Sequence, residues 1–144
     1  MKITIITSGK TNLDYAKIGV QKYLKQITKF SKIKHIELKE KSFENKVLAY
    51  KDNSSYLIAL DESGQHFTSR DFATFIKSVE VKNIKNLYFI IGPADGFGKD
   101  FLGKVNYTMS LSNLTFAHDL ALLVFCETLY RSLSIKAGHP YHRD

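Results

Sequence analysis

The sequence predicts an α/β fold built on a mainly parallel sheet. Short apolar runs alternate with stretches of helical periodicity along the whole chain, the pattern of strands joined through helices. No internal repeat, linker or low-complexity stretch interrupts that alternation. At 144 residues, 44% hydrophobic and 24% charged, the chain has the size and composition of one soluble globular domain, residues 1–144.

"MKITIIT" opens as a short apolar strand. "NLDYAKIGVQKYLKQITKF" spaces Leu13, Ala16, Ile18, Val20, Tyr23, Leu24 and Ile27 at roughly helical intervals with lysines opposite. "KIKHIEL" alternates as a strand with one wet face, and "FENKVLAY" is a short helix. "SYLIAL" is a buried strand that ends at Leu60, with "DESGQHF" as the turn after it. Thr68 and Asp71 have capping-box spacing and open a helix over "SRDFATFIKSVEVK". "NLYFII" is the most apolar strand, "KDFLGKV" one or two helical turns, and "YTMSLS" the last strand. A long helix follows over "LTFAHDLALLVFCETLYRSLSIKAG"; Gly138 supplies its stop and Pro140 prevents its resumption.

No apolar run approaches the ~20 residues that span a bilayer, and "MKITIITSGK" has the wrong order for a signal peptide. Cys126 is the only cysteine, so no internal disulfide forms. A cytoplasmic location is expected. The net charge is +7, which favours polyanionic partners, chiefly nucleic acid. Ten of the eighteen lysines fall between Lys17 and Lys51, opposed only by Glu37, Glu40 and Glu44. Lysine without arginine suits loose backbone contacts more than bidentate base reading.

In a parallel sheet, ligands sit at the carboxyl ends of the strands. Three turns therefore matter. After Leu60, Asp61 and Glu62 are either general bases or plain turn residues. After Ile91, "GPADGFG" lets backbone approach a ligand at Gly92, but matches neither a dinucleotide fingerprint nor a P-loop. After Met109, small polar Ser110, Ser112, Asn113 and Thr115 alternate with Leu111, Leu114 and Phe116, a wall suited to a flat heteroaromatic ring with polar edges; Thr115 is equally placed to cap the helix. His118 reads as structural, Cys126 as core filler, and Glu127 with Arg131 as an i,i+4 ion pair. The segment "AGHPYHRD" concentrates two histidines, a tyrosine and an arginine in eight residues.

Taken together, "MKITIITSGK", "LIALDESGQHFTSRDFA", "FIIGPADGFG", "LSLSNLTFAHDL", "ETLYRSLSI" and "HPYHRD" resemble, in order and over essentially the whole chain, the RlmH family of SPOUT-class methyltransferases, which act on pseudouridine in bacterial 23S ribosomal RNA. The resemblance implies a trefoil-knotted α/β fold, one of the rare exceptions to unknotted chains, with the knot and cofactor site in the C-terminal half. It also implies a homodimer, S-adenosylmethionine as cofactor, and 23S RNA within the ribosome as partner. By motif, Leu60, Gly92, Leu111, Ser112, Asn113, Leu114, Thr115 and Phe116 would bind the cofactor, while Tyr141, His142, Arg143 and Arg131 would face the RNA. Departures are Pro93 for the second glycine of a Gly-Gly pair, Leu122 for an arginine, Thr128 for a glutamine, and a shortened stretch between Leu38 and Tyr56.

The implied reaction moves a methyl group from a sulfonium, already a strong electrophile, to N3 of pseudouridine, so no metal is called for. His142 is the candidate base for the N3 proton, and Arg131 and Arg143 would hold phosphates or negative charge. Two other readings stand beside this one: a SPOUT methyltransferase with another RNA target such as tRNA, and a non-catalytic ribosome-binding protein of the same fold.

Overall fold

The central strands of the sheet are buried on both faces while the edge strand over Lys32–Leu38 keeps one face wet, and the side chains sort accordingly. Ile3, Ile5, Ile58, Leu87, Phe89, Ile91 and Met109 pack on one side; Ile6, Leu57, Ala59 and Ile90 pack on the other. This period of two, with both phases apolar, is what a covered parallel sheet requires. The computed structural model describes all residues, Met1–Asp144. Its elements are β1 (Lys2–Ser8), α1 (Asp14–Ile27), β2 (Lys32–Leu38), α2 (Phe43–Leu48), β3 (Ser55–Gln65), α3 (Ser69–Glu80), β4 (Asn86–Ile91), α4 (Lys99–Lys104), β5 (Tyr107–Met109) and α5 (His118–Lys136).

The five strands are all parallel, in the order β2-β1-β4-β3-β5. On the larger side α5 packs against both α1 and α3. Its Leu122, Phe125, Cys126, Leu129, Tyr130 and Leu133 join Val20 and Ile27 of α1 and Phe72, Ile76 and Val79 of α3 over the sheet. On the other side Phe43 and Val47 of α2 and Phe101 of α4 close a smaller core. A Cβ on Gly19 would lie 2.5 Å from a methyl of Leu123, so the bare glycine lets α1 approach α5 closely. No helix is long and apolar enough to cross a membrane.

Thr68 caps α3 as its spacing predicts, its Oγ1 accepting from the Asp71 amide at 3.1 Å. Gly138 ends α5 with φ +73°, and the Gly138 and His139 amides donate to the carbonyls of Ile135 and Ser134. Three boundaries differ from the sequence expectation. β3 does not end at Leu60 but resumes at Gln65 after an excursion over 61–64, because Met109 of β5 pairs with both Leu60 and Gln65. There Gly64 crosses the β5 backbone so closely that a Cβ would lie 2.5 Å from the Met109 carbonyl carbon. β5 is correspondingly short, ending at Met109. α5 begins at His118 rather than at Leu114, since 114–117 is not helical and lines the cleft at the carboxyl ends of the strands.

Candidate functional site

The carboxyl ends of β3, β4 and β5 converge on one cleft of about 550 Å³, within the size range of small-molecule sites. The β3 excursion contributes Leu60, Asp61, Glu62 and Ser63 to its wall. The β4–α4 loop contributes Gly92, Pro93 and Phe97. The β5–α5 loop contributes Ser110, Leu111, Ser112, Leu114, Thr115 and Phe116, and α5 adds His118 and Ala121. Of the predicted cofactor residues only Asn113 is missing from the wall; it is exposed at the rim.

Local hydrogen bonds hold this wall in place. Ser110 Oγ donates to the Ser112 carbonyl at 3.0 Å, and Ser112 Oγ accepts from the Leu114 amide at 3.0 Å. Thr115 does not cap α5; its hydroxyl donates across the cleft to Glu62 at 2.9 Å. Above Gly92 lies the ring of Phe97, 2.7 Å from where a Cβ would stand, and that ring stacks on Phe101. Gly92 therefore presents bare backbone to a space that any side chain would have to share with Phe97.

His118 does more than open a helix. Its Nδ1 pairs with Asp119 at 3.1 Å, while the other oxygen of that carboxylate accepts from the Asn12 and Leu13 amides at 2.8 Å each. Burial pushes the Asp119 pKa up, but the Leu13, His118 and Asn12 hydrogen bonds prevail and hold it below the usual carboxylate range. With the Asp119 carboxylate at Nδ1, a proton of the ring is placed there. The His118 Nε2 is buried without a hydrogen-bond partner, on the wall of the cleft. Nearby, His35 donates to or accepts from Thr7 Oγ1 at 2.7 Å, and burial lowers its pKa.

The predicted tail residues lie elsewhere. None of Arg131, Tyr141, His142 and Arg143 lines the cleft. Arg131 is thirteen residues along α5 from His118, about 20 Å of helix. There the side chains form a continuous chain. Tyr141 stacks edge-on against Tyr130 at 4.6 Å, and its hydroxyl donates to Glu127 at 3.0 Å. Arg131 donates to Glu127 at 2.6 Å, lies over the Tyr141 ring, and donates to His142 Nδ1 at 3.1 Å. His142 Nε2 faces Asp144 at 3.0 Å, and Asp144 takes both forks of Arg70 at 2.8 and 2.5 Å. Those Arg70 and His142 contacts lower the Asp144 pKa to about 2. The three arginines of the chain are thus Arg70, Arg131 and Arg143, two of them locked into this cluster and Arg143 beside it. Arg70 is the member that sequence reasoning missed: it is 74 residues from Asp144, and nothing local marks it. Cys126 is core filler as expected, and burial pushes its thiol up to about 12.

Comparison with known proteins gives a consistent picture. A family profile described as predicted SPOUT methyltransferase matches residues 1–142. Proteins named ribosomal RNA large subunit methyltransferase H from Clostridium novyi and Clostridium acetobutylicum are 33% and 34% identical, each alignment covering 99% of this chain and 100% of the relative. The protein of the same name from Halothermothrix orenii is 32% identical over the same shares. Among solved structures, a probable methylase family protein from Haemophilus influenzae superposes with a TM-score of 0.58 at 12% identity, over 99% of this chain and 70% of that one. The SpoU methyltransferase AviRb from Streptomyces viridochromogenes gives 0.51 at 13% identity, over 96% and 61%.

Proposed function

The chain belongs to the SPOUT methyltransferase family, and on that premise we propose that it methylates large-subunit ribosomal RNA at N3 of a pseudouridine, using S-adenosylmethionine and acting as a homodimer. The observation that carries the reading is the convergence of three separate strand ends, at Leu60, Gly92 and Leu111–Phe116, on one cleft. The residues there fit the cofactor. Gly92 offers backbone where a Cβ would collide with Phe97, the β5–α5 loop alternates apolar and small polar groups, and His118 Nε2 is a buried polar atom without a partner. Leu60, Gly92 and the segment Leu111, Ser112, Asn113, Leu114, Thr115 and Phe116 would hold it. Pro93 has no N–H to give, so that loop binds with one amide fewer than a Gly-Gly pair.

Bound S-adenosylmethionine supplies an electrophilic methyl group on sulfur. The task left to the chain is to hold the target nitrogen in line and to take its proton. Such positioning contributes roughly 7–11 kcal/mol. His142 is the candidate base, and Arg131 and Arg143 are the candidates to neutralise the base or a neighbouring phosphate. In the folded chain the one lone pair of a neutral His142 is engaged by Arg131, with the proton on Nε2 toward Asp144. His142 becomes a base only when the incoming RNA draws Arg131 away, which would couple proton acceptance to substrate binding.

The cleft takes the first turn of α5, at His118 and Ala121, and the tail cluster the later turns from Glu127 onward. In a two-fold dimer the same two patches meet in trans, so Tyr141, His142 and Arg143 would complete the partner's site. The half-buried Leu120, Leu123 and Val124 leave α5 apolar surface for such a seam. Incubating unmodified ribosomes with the protein and labelled cofactor, then analysing nucleosides by mass, tests the reading. Labelled methylpseudouridine from large-subunit RNA is the expected product. Label found only in transfer RNA, or none with cofactor binding absent, would replace this reading by another target or by a non-catalytic RNA-binding role.

A further inference from the structure

Two parts of the sequence that look unrelated, the lysine-rich stretch and the C-terminal segment, meet at one end of the molecule. α1 and α5 run side by side from the ligand edge of the sheet, where Asp119 ties their N-termini together, to the edge where the strands begin. At that far edge Tyr23 packs on Tyr130 at 6.1 Å, and Phe30 packs on Tyr130 at 6.0 Å and edge-on to His139 at 5.9 Å. Burial, the Glu127 carboxylate and the Tyr23 hydroxyl together raise the Tyr141 pKa, which places Tyr23 beside the tail. The exposed lysines at the end of α1 and just past it alternate with those rings: Lys22 precedes Tyr23, Lys25 lies one turn after Lys22, and Lys29, beyond the helix end, precedes Phe30. None of the three has a carboxylate within ion-pair distance, whereas Lys136 at the end of α5 is neutralised by Glu80 at 2.7 Å.

Three unpaired ammonium groups beside an arginine, a histidine and a tyrosine form a surface with two kinds of chemistry. Lysines are loose, salt-sensitive partners for phosphates, and the guanidinium and rings suit a defined nucleotide. We infer that Lys22, Lys25 and Lys29 form the RNA-backbone track leading to the tail, so that one protomer supplies both the tail and the surface that guides RNA to it. This rests on the reading of the protein as an RNA methyltransferase and adds the place where the substrate runs. Three other lysines of the rich stretch, Lys39, Lys41 and Lys46, lie past the carboxyl end of β2 and on α2, which covers the opposite face of the sheet. The track therefore excludes them, although sequence alone treats all of them alike.

The test compares two triple variants of equal charge, Lys22→Gln/Lys25→Gln/Lys29→Gln and Lys39→Gln/Lys41→Gln/Lys46→Gln, in the full chain. Both should keep wild-type circular dichroism and wild-type affinity for S-adenosylhomocysteine by calorimetry, since all six side chains are exposed and outside the cleft. Binding of a single-stranded oligoribonucleotide is then followed over a salt series. The first triple should lose about 2 units of log–log salt slope and about a hundredfold in affinity near ~0.1 M salt, at roughly 0.7 unit per single-strand contact. The second should stay within about half a unit of wild type. Equal losses in both triples, or none in the first, would overturn the track. If the wild-type protein itself shows no salt-dependent RNA binding, the RNA reading falls with it, an outcome distinct from a wild type that binds and a first triple that binds equally well.

Discussion

The cleft and the tail cluster are built on opposite principles. The cleft is made mostly of backbone and small side chains: bare Gly92, the Ser110–Ser112–Leu114 hydrogen-bonded turn, and a Thr115–Glu62 bridge across its mouth. The tail cluster is made almost wholly of side chains, a relay from Arg70 through Asp144, His142, Arg131 and Glu127 to Tyr141. One region can grip a flat ring by its edges and carries carboxylates, Asp61, Glu62 and Asp95, but no lysine or arginine. The other concentrates cations and a titratable ring but encloses nothing. Along α5 their nearest members, Ala121 of the cleft and Glu127 of the cluster, are six residues or about 9 Å apart, and His118 and Arg131 about 20 Å. The difference leaves one chain with two separate patches, an enclosed cleft and an open cluster of charged side chains.

The largest effect should come from filling the cleft. Gly92→Arg places a side chain in the space of Phe97 and the ligand, and cofactor binding should disappear by calorimetry while melting and oligomeric state stay near wild type. Phe97 is a flexible side chain at a rim, so the fold can give there. Normal affinity in this variant would remove the β4–α4 loop from the site and break the comparison at its first term.

Next comes the tail. His142→Ala and His142→Gln should both leave cofactor affinity unchanged and slow methyl transfer by about a hundredfold, the lower range for a lost general base. Unchanged rates in both would take His142 out of the chemistry and leave the cluster a binding surface.

The smallest effect concerns the joint between the two regions. Asp119→Ala strips the partner from His118 and from two amides at the start of α1. It should destabilise the fold by about 3 kcal/mol, the value of hydrogen bonds to a buried charge, seen as a drop of roughly 6–12 °C in Tm. Because the folded-state pKa of Asp119 is depressed, its contribution is present above the ordinary carboxylate pKa and lost as pH falls through the folded value. The variant's stability should therefore fall less steeply than wild type below about pH 4. A variant as stable as wild type at neutral pH would mean that Asp119 is not the tie between α1 and α5.

Much of this was legible from the chain. The ends of β2 and β4, the Thr68 cap and the Gly138 stop follow from local rules, since periodicity, capping and a positive-φ glycine need no distant partner. The three ligand loops were legible because a parallel sheet puts them on one edge. The rest is non-local. β3 reaches Gln65 only because Met109 pairs with both ends of the excursion, and Gly64 is needed only because another backbone crosses it. Thr115 prefers Glu62, 53 residues away, to the helix it could have capped. His118 looked structural because its free nitrogen is visible only once Asp119 is seen to claim the other.

The central claim is that tail and cleft act across a two-fold dimer, and complementation tests it most directly. One variant carries Gly92→Arg, with a tail but no cofactor pocket; the other ends at Gly138, with a pocket but no tail. Each alone should be inactive, the second still binding cofactor. Unfolded and refolded together in equal amounts, random pairing makes about half of the dimers mixed. If the tail acts in trans, each mixed dimer holds one complete site and roughly a quarter of wild-type activity returns. If it acts in cis, no dimer holds a complete site, and a mixture shown to contain the heterodimer yet remaining inactive would contradict the account.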